Sequence, residues 1–246
     1  MDLLKWHKYN KECSHPNEYE LTPYLVEDKT APVVVVCPGG GYRMVASFIE
    51  GVPIAKYFQS RGINAFVLRY RVKEKAKYPA PTEDIAHALK DIQNIYHLSL
   101  DNYALCGFSA GGHMCALFGL KEYGYEKYRL PKPNLIILIY PVITLEKGLT
   151  HRGTRKWFAL EDKEILEIGT IHHHVTSEYP KTFIWRGDND KSVPPINSDL
   201  LIDELAKNNV DCQYFKYKNA KHGIGLGVKT DAEGWLNAAV KYWLNK

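Results

Sequence analysis

The chain has 246 residues, 45% of them hydrophobic, with 32 basic and 28 acidic side chains and a net charge of +4. That length and apolar content suit one larger domain with a sizeable core. The small, scattered charge argues against nucleic acid or an acidic membrane surface as a partner, and no apolar run reaches the roughly 18 residues of a membrane span.

The N-terminal Met1-Asp2-Leu3-Leu4-Lys5-Trp6-His7 has no apolar core of signal-peptide length. The five cysteines are dispersed, with no Cys-x-x-Cys pair. Cys37, Cys106 and Cys115 sit in or beside apolar segments and read as small buried hydrophobes, which points to a reducing, cytoplasmic setting. Residues 21–26 read as an edge strand of an antiparallel start, because Pro23 lacks the N–H that a second neighbour would need. Residues 33–37 are a β-branched run, the pattern of a strand buried on both faces. Pro38-Gly39-Gly40-Gly41-Tyr42 follows it. Residues 51–61 read as a helix closed by Gly62, and 64–69 as the next strand.

After Pro79-Ala80-Pro81 the spacing of Ile85, Ala88, Leu89, Ile92 and Ile95 predicts a helix over 82–98, with Thr82 as its N-cap. Residues 103–106 form a strand and 110–120 a helix. Strands follow at 135–140, 182–186 and 212–217, and helices at 195–208 and 231–244. Strand and helix alternating with short loops implies a mostly parallel sheet covered on both faces, a three-layer α/β/α sandwich in one domain over 1–246. The stretch 145–180 breaks this rhythm. It is charged, carries Trp157, Phe158 and three adjacent histidines, and reads as a lid-like insertion.

Between the strand at 103–106 and its helix lies Gly107-Phe108-Ser109-Ala110-Gly111. In that setting Gly-x-Ser-x-Gly is a nucleophile elbow, a tight strand-to-helix turn that projects the serine hydroxyl from the sheet. A base and an acid belong in other loops at the carboxyl ends of the strands. The loop after 212–217 contains His222, which can take the Ser109 proton and return it to the leaving group, as imidazole titrates at ~6.5. The loop after 182–186 offers Asp188 and Asp190; one would orient His222 and the other would serve the turn. The glycines at 39–41 let backbone approach a substrate closely, so N–H groups of Gly40 or Gly41, with that of Ala110, form the expected oxyanion hole. His172, His173 and His174 are consecutive, with no carboxylate cluster beside them in the sequence, so no metal site and no cofactor is expected. His113 reads as a packing or hydrogen-bonding residue, and His151 falls within the insertion.

With these residues assembled, the chain resembles the α/β-hydrolases of esterase/lipase type, and more closely the bacterial carbohydrate esterases and acetyl (xylan) esterase-like members related to dienelactone hydrolases. The resemblance rests on residues 37–42, 62–71, 78–81, 107–113 and 222–226. It implies an acid within Gly-x-x-Asp-x-x-Val-Pro, here Gly187 to Pro194, which selects Asp190. It also implies a small-molecule ester as substrate, with acetylated oligosaccharides as candidates, and is compatible with a homodimer. Pro38 replaces the first histidine of the HGGG pattern, and Arg186 stands where a histidine often precedes the glycine. A short-chain lipase, a peptidase or amidase on the same fold, and a hydrolase-fold binding protein without catalysis are the alternatives.

Overall fold

The computed structural model describes residues 19–245. The N-terminal heptapeptide read above, and Cys13, lie outside them. Strands β1 (Glu20–Tyr24), β2 (Val33–Cys37), β3 (Asn64–Arg69), β4 (Tyr103–Phe108), β5 (Leu135–Ile139), β6 (Thr182–Gly187) and β7 (Cys212–Tyr217) form one sheet in the order β1-β3-β2-β4-β5-β6-β7. Only β1 is antiparallel, paired with β3 at the sheet edge; the other pairings are parallel. Pro23 thus sits where a missing N–H costs no second ladder.

Successive strand residues point to opposite faces, and here both faces are covered. Val33, Val35 and Cys37 of β2 join one core and Val34 and Val36 the other. The first core receives helices α2 (Ala80–Asn94), α3 (Ala110–Gly119) and α6 (Ile196–Lys207). The second receives α1 (Val52–Ser60) and α7 (Trp235–Leu244), through Phe58, Trp235 and Trp243 among others. This is the α/β-hydrolase fold, with all of β2 to β6 except Arg69 buried. Among the described residues no helix is long and apolar enough to cross a membrane.

Local expectations change in several places, among them the closing helix, expected from 231, which begins at Trp235. The helix expected over 82–98 starts earlier and ends earlier, at Ala80–Asn94. Pro81 fits its first turn, where the absent N–H would have no partner in any case, so Thr82 lies inside the helix and its hydroxyl donates to the Pro79 carbonyl at 2.9 Å. Ile95, expected on the buried stripe, falls beyond the last turn and is 63% exposed. The segment 145–180 contains α4 (Arg152–Ala159), α5 (Lys163–Ile168) and a short 3-10 turn at Ile171–His174. Phe158, Ala159 and Ile171 within it are fully buried and join the first core.

Candidate active site

Ser109 occupies the turn between β4 and α3 with φ 53° and ψ −115°, a strained region for a residue with a side chain. Backbone bonds on both sides hold it there. Its N–H donates to the Ile139 carbonyl at 3.0 Å, and its own carbonyl accepts from His113 and Val142 N–H at 3.0 and 3.1 Å. The turn closes only because Gly111 lies against β2: a Cβ there would stand 2.0 Å from the Cys37 carbonyl oxygen.

The loops after β6 and β7 meet at this turn. Ser109 Oγ lies 2.9 Å from Nε2 of His222, and Nδ1 of His222 lies 2.6 Å from Oδ2 of Asp190. The other oxygen of Asp190 accepts the N–H groups of Ser192 and Val193 at 2.8 and 2.9 Å. Those bonds fix the carboxylate, and the residue is 8% exposed. With Asp190 on Nδ1, the proton of a neutral His222 sits there and Nε2 is free to accept from the serine hydroxyl. Asp188 does not join the chain; it pairs with Arg186. Arg186 also donates to Tyr214 at 2.7 Å, so the residue in place of the family histidine braces β6 against β7.

The glycine loop after β2 lies beside the serine. Gly40 has φ +132°, and a Cβ on it would stand 2.0 Å from the Met44 carbonyl oxygen, so only glycine fits. The N–H groups of Gly40 and Gly41 have no hydrogen-bond partner among the described residues. Ala110 is the first residue of α3, whose N–H the helix itself does not use. The loop is braced from below. Tyr70 donates to the Pro38 carbonyl at 2.6 Å. The buried Tyr42 hydroxyl meets Nδ1 of His113 at 3.0 Å. Arg71 binds Asp84 through both its backbone N–H and its Nε, at 2.8 and 2.7 Å; burial raises the Asp84 carboxyl while these bonds oppose the rise.

A cleft of about 480 Å³ opens over Ser109 and His222. Gly40, Gly41 and Arg43 form one side, and His151, Gly153 and Trp157 of the 145–180 segment contribute the other. Burial and the nearby His222 both lower the His151 pKa, with Asp190 opposing. A larger depression of about 690 Å³ beside Tyr123, Lys127 and His174 contains none of these groups. The chemistry, not the volume, marks the smaller one.

The sequence matches the BD-FAE family over residues 22–205, a span that includes the glycine loop, Ser109 and Asp190. The chain belongs to that family. Among curated proteins it is 30% identical to endo-1,4-beta-xylanase B of Butyrivibrio fibrisolvens, over 95% of this chain and 39% of that protein. It is 25% identical to the acetylxylan esterase of Xylanibacter ruminicola, over 90% of this chain and 47% of that protein. The chain therefore spans less than half the length of either. Among solved structures, the acetyl ester-xyloside bifunctional hydrolase of Caldicellulosiruptor lactoaceticus superposes with a TM-score of 0.84 at 31% identity, covering 94% of this chain and 89% of that one.

In this BD-FAE chain, sequence reasoning overlooked Glu50, Tyr70 and Tyr140. Glu50 had a signal: it is the one acid in Ser47-Phe48-Ile49-Glu50-Gly51-Val52, and it is 4% exposed. The expectation that the adjacent histidines lack carboxylates does not survive folding. His173 lies 2.9 Å from Glu167 and 3.6 Å from Glu146, and Glu146, His172 and His173 bring ligand atoms within 4.8 Å of one another. Glu146 is 26 residues from His172 in the chain, so local spacing could not reveal it. None of these residues lines the cleft.

Proposed function

We propose that the protein is a serine esterase that hydrolyses short-chain acyl esters, acetyl esters of carbohydrates foremost. The hydrogen-bonded chain from Ser109 through His222 to Asp190 carries this reading. The names of the relatives support the substrate class, one an acetylxylan esterase and one an acetyl ester-xyloside hydrolase.

In this reaction Ser109 Oγ attacks the ester carbonyl carbon while Nε2 of His222 takes the hydroxyl proton. Asp190 stabilises the imidazolium so formed and keeps its orientation. The carbonyl oxygen becomes an oxyanion held by N–H of Ala110 and of Gly40 or Gly41, donors that need no rearrangement as charge develops. Collapse breaks the C–O bond, and the alcohol departs with the proton from Nε2. Water then repeats the sequence on the acyl-serine, releasing the acid and restoring Ser109.

The test is hydrolysis of p-nitrophenyl acetate and of acetylated xylo-oligosaccharides by wild type and Ser109→Ala. Wild type should turn over both, and a serine-directed phosphonate should label Ser109 alone. Ser109→Ala should be folded and inactive. Turnover retained in the variant overturns the mechanism; hydrolysis of the nitrophenyl ester without release of acetate from any oligosaccharide overturns the substrate class.

A further inference from the structure

Glu50 is a buried carboxylate at the floor of the cleft. It sits in the turn Ser47–Gly51 that leads into α1. Both of its oxygens are occupied. Oε2 accepts the N–H of Gly39 at 2.7 Å, and Oε1 accepts the hydroxyl proton of Tyr140 at 2.7 Å. The two donors lie on opposite parts of the site. Gly39 immediately precedes the glycines of the oxyanion loop. Tyr140 follows β5, and its ring centroid stands 4.6 Å from that of the His222 imidazole. The Tyr140 oxygen also accepts the N–H of Gly225 at 3.2 Å, in the loop that carries His222.

We propose that Glu50 is a positioning residue for the esterase reaction: one buried carboxylate ties the oxyanion loop to the tyrosine that seats His222, and its negative charge favours the imidazolium formed in the transition state. The role rests on the function proposed above. Burying a carboxylate is costly unless its oxygens are bonded. Burial indeed raises the Glu50 carboxyl above its ordinary range, while the Tyr140 and Gly39 bonds and the charge of His222 hold it down. A fold that needed only a filler here would do better with an apolar side chain. The carboxylate fits because two donors and a developing cation face it together.

The surroundings leave few other groups to supply that field. Asp190 and Ser109 contact His222 directly. His151 faces it across the cleft. Lys191 and Lys221 lie beside it at the rim of the neighbouring depression and Arg43 lines the same cleft; the charge of all three opposes an imidazolium. Behind Glu50, burial keeps Tyr70 and Cys106 neutral, and the Glu50 charge adds to that. Among the described residues, Asp190 and Glu50 are thus the two carboxylates placed to face His222, one in contact and one across Tyr140.

Glu50→Gln preserves shape but removes the charge. Its amide can accept from Gly39 in only one orientation, which aims N–H at Tyr140 and leaves the tyrosine proton without an acceptor. The experiment measures kcat and KM for p-nitrophenyl acetate across the acid limb of the pH profile. Wild type, Glu50→Gln, Tyr140→Phe and the double variant are compared, each scaled to the Ser109 that a phosphonate labels. Glu50→Gln should lower kcat about 10- to 100-fold with KM within about twofold, the pattern of an interaction made in the transition state. Its acid limb should move to lower pH, because an imidazolium that has lost an anion gives up its proton more readily. Tyr140→Phe should shift the limb the same way by less, and the double variant should be no worse than Glu50→Gln alone. A folded Glu50→Gln with wild-type kcat and an unmoved limb overturns the proposal. If that variant does not fold, Tyr140→Phe decides: an unmoved limb there also overturns it. A wild type that neither hydrolyses the ester nor is labelled at Ser109 overturns the function, and this role with it.

Discussion

Asp188 and Asp190 stand two residues apart in one loop and engage different partners. Asp190 meets Nδ1 of His222 at 2.6 Å, whereas Asp188 is turned into an ion pair with Arg186. The Asp188 side chain is 47% exposed and that of Asp190 is 2% exposed. Backbone bonds set the difference. The Asp188 N–H is taken by the Tyr217 carbonyl at 2.8 Å, and the turn beyond it delivers the N–H groups of Ser192 and Val193 to Asp190.

Asp190→Asn should therefore lower kcat on p-nitrophenyl acetate by about 10⁴-fold, the scale of amidating a carboxylate that sets a histidine tautomer. Asp188→Asn should cost about 10-fold or less, since a half-exposed ion pair contributes little. Measuring kcat for both decides the acid; a crippled Asp188→Asn beside a nearly normal Asp190→Asn would reverse the assignment.

Acetyl esters should be cleaved with a higher kcat/KM than octanoyl esters. The wall contributed by 145–180 brings His151, Gly153 and Trp157 to the cleft, and Leu160 is the only large apolar side chain that this segment exposes. That wall offers little apolar area to repay the transfer of a long chain from water. Faster octanoyl cleavage, in a chain-length series of nitrophenyl esters, would favour a lipase.

A chelator should leave kcat unchanged. Every step of the proposed reaction uses groups of the chain itself, and the Glu146, His172 and His173 cluster lies outside the cleft. Activity lost on dialysis against EDTA and restored by zinc would contradict the mechanism.

The segment 145–180 should unfold with the rest of the domain. Phe158 is fully buried, with its ring 4.7 Å from that of His113 and 5.9 Å from that of Tyr42. Phe158→Ala should cost about 3–5 kcal/mol, lost transfer energy plus a cavity, in a single denaturant transition. A cost below about 1 kcal/mol, or a separate early transition, would mark the segment as an independently moving lid.

Local pattern carried the sheet. Val33 to Cys37 and Leu135 to Ile139 are unbroken apolar runs, and such runs have few uses other than a strand with both faces covered. Loops that follow parallel strands share one rim, so Ser109 and His222 could be paired across 113 residues of chain. Choosing between Asp188 and Asp190 from the residues alone was harder, because a turn of two residues re-aims a carboxylate. Ile95 had the right helical spacing but lies beyond the last turn, since periodicity does not say where a helix stops. Glu50 stood out only as a lone acid in its stretch, because the role proposed for it comes from Gly39 and Tyr140, 11 and 90 residues away.

His113 gives the domain a stability that fades in acid. Its ring is fully buried, with Nε2 2.9 Å from the Gly169 carbonyl and Nδ1 3.0 Å from the Tyr42 hydroxyl. A carbonyl can only accept, so Nε2 carries the proton and Nδ1 accepts from the tyrosine. Burial lowers the His113 pKa from 6.5 to about 4, with the Gly169 bond opposing. The folded state thus binds its proton at lower pH than the unfolded chain does. Stability from this residue is complete above ~6.5 and is lost as pH falls toward 4, on the order of 3 kcal/mol over that window. His151 and His172, also lowered by burial, act in the same direction, so the wild-type profile alone does not isolate His113. The variant His113→Gln keeps a neutral hydrogen-bonding group that does not titrate. Denaturant unfolding at neutral pH and near pH 4 should show this variant less stable than wild type at neutrality and the gap narrowing in acid. A gap that stays constant between the two conditions would mean that His113 is not held neutral by the fold.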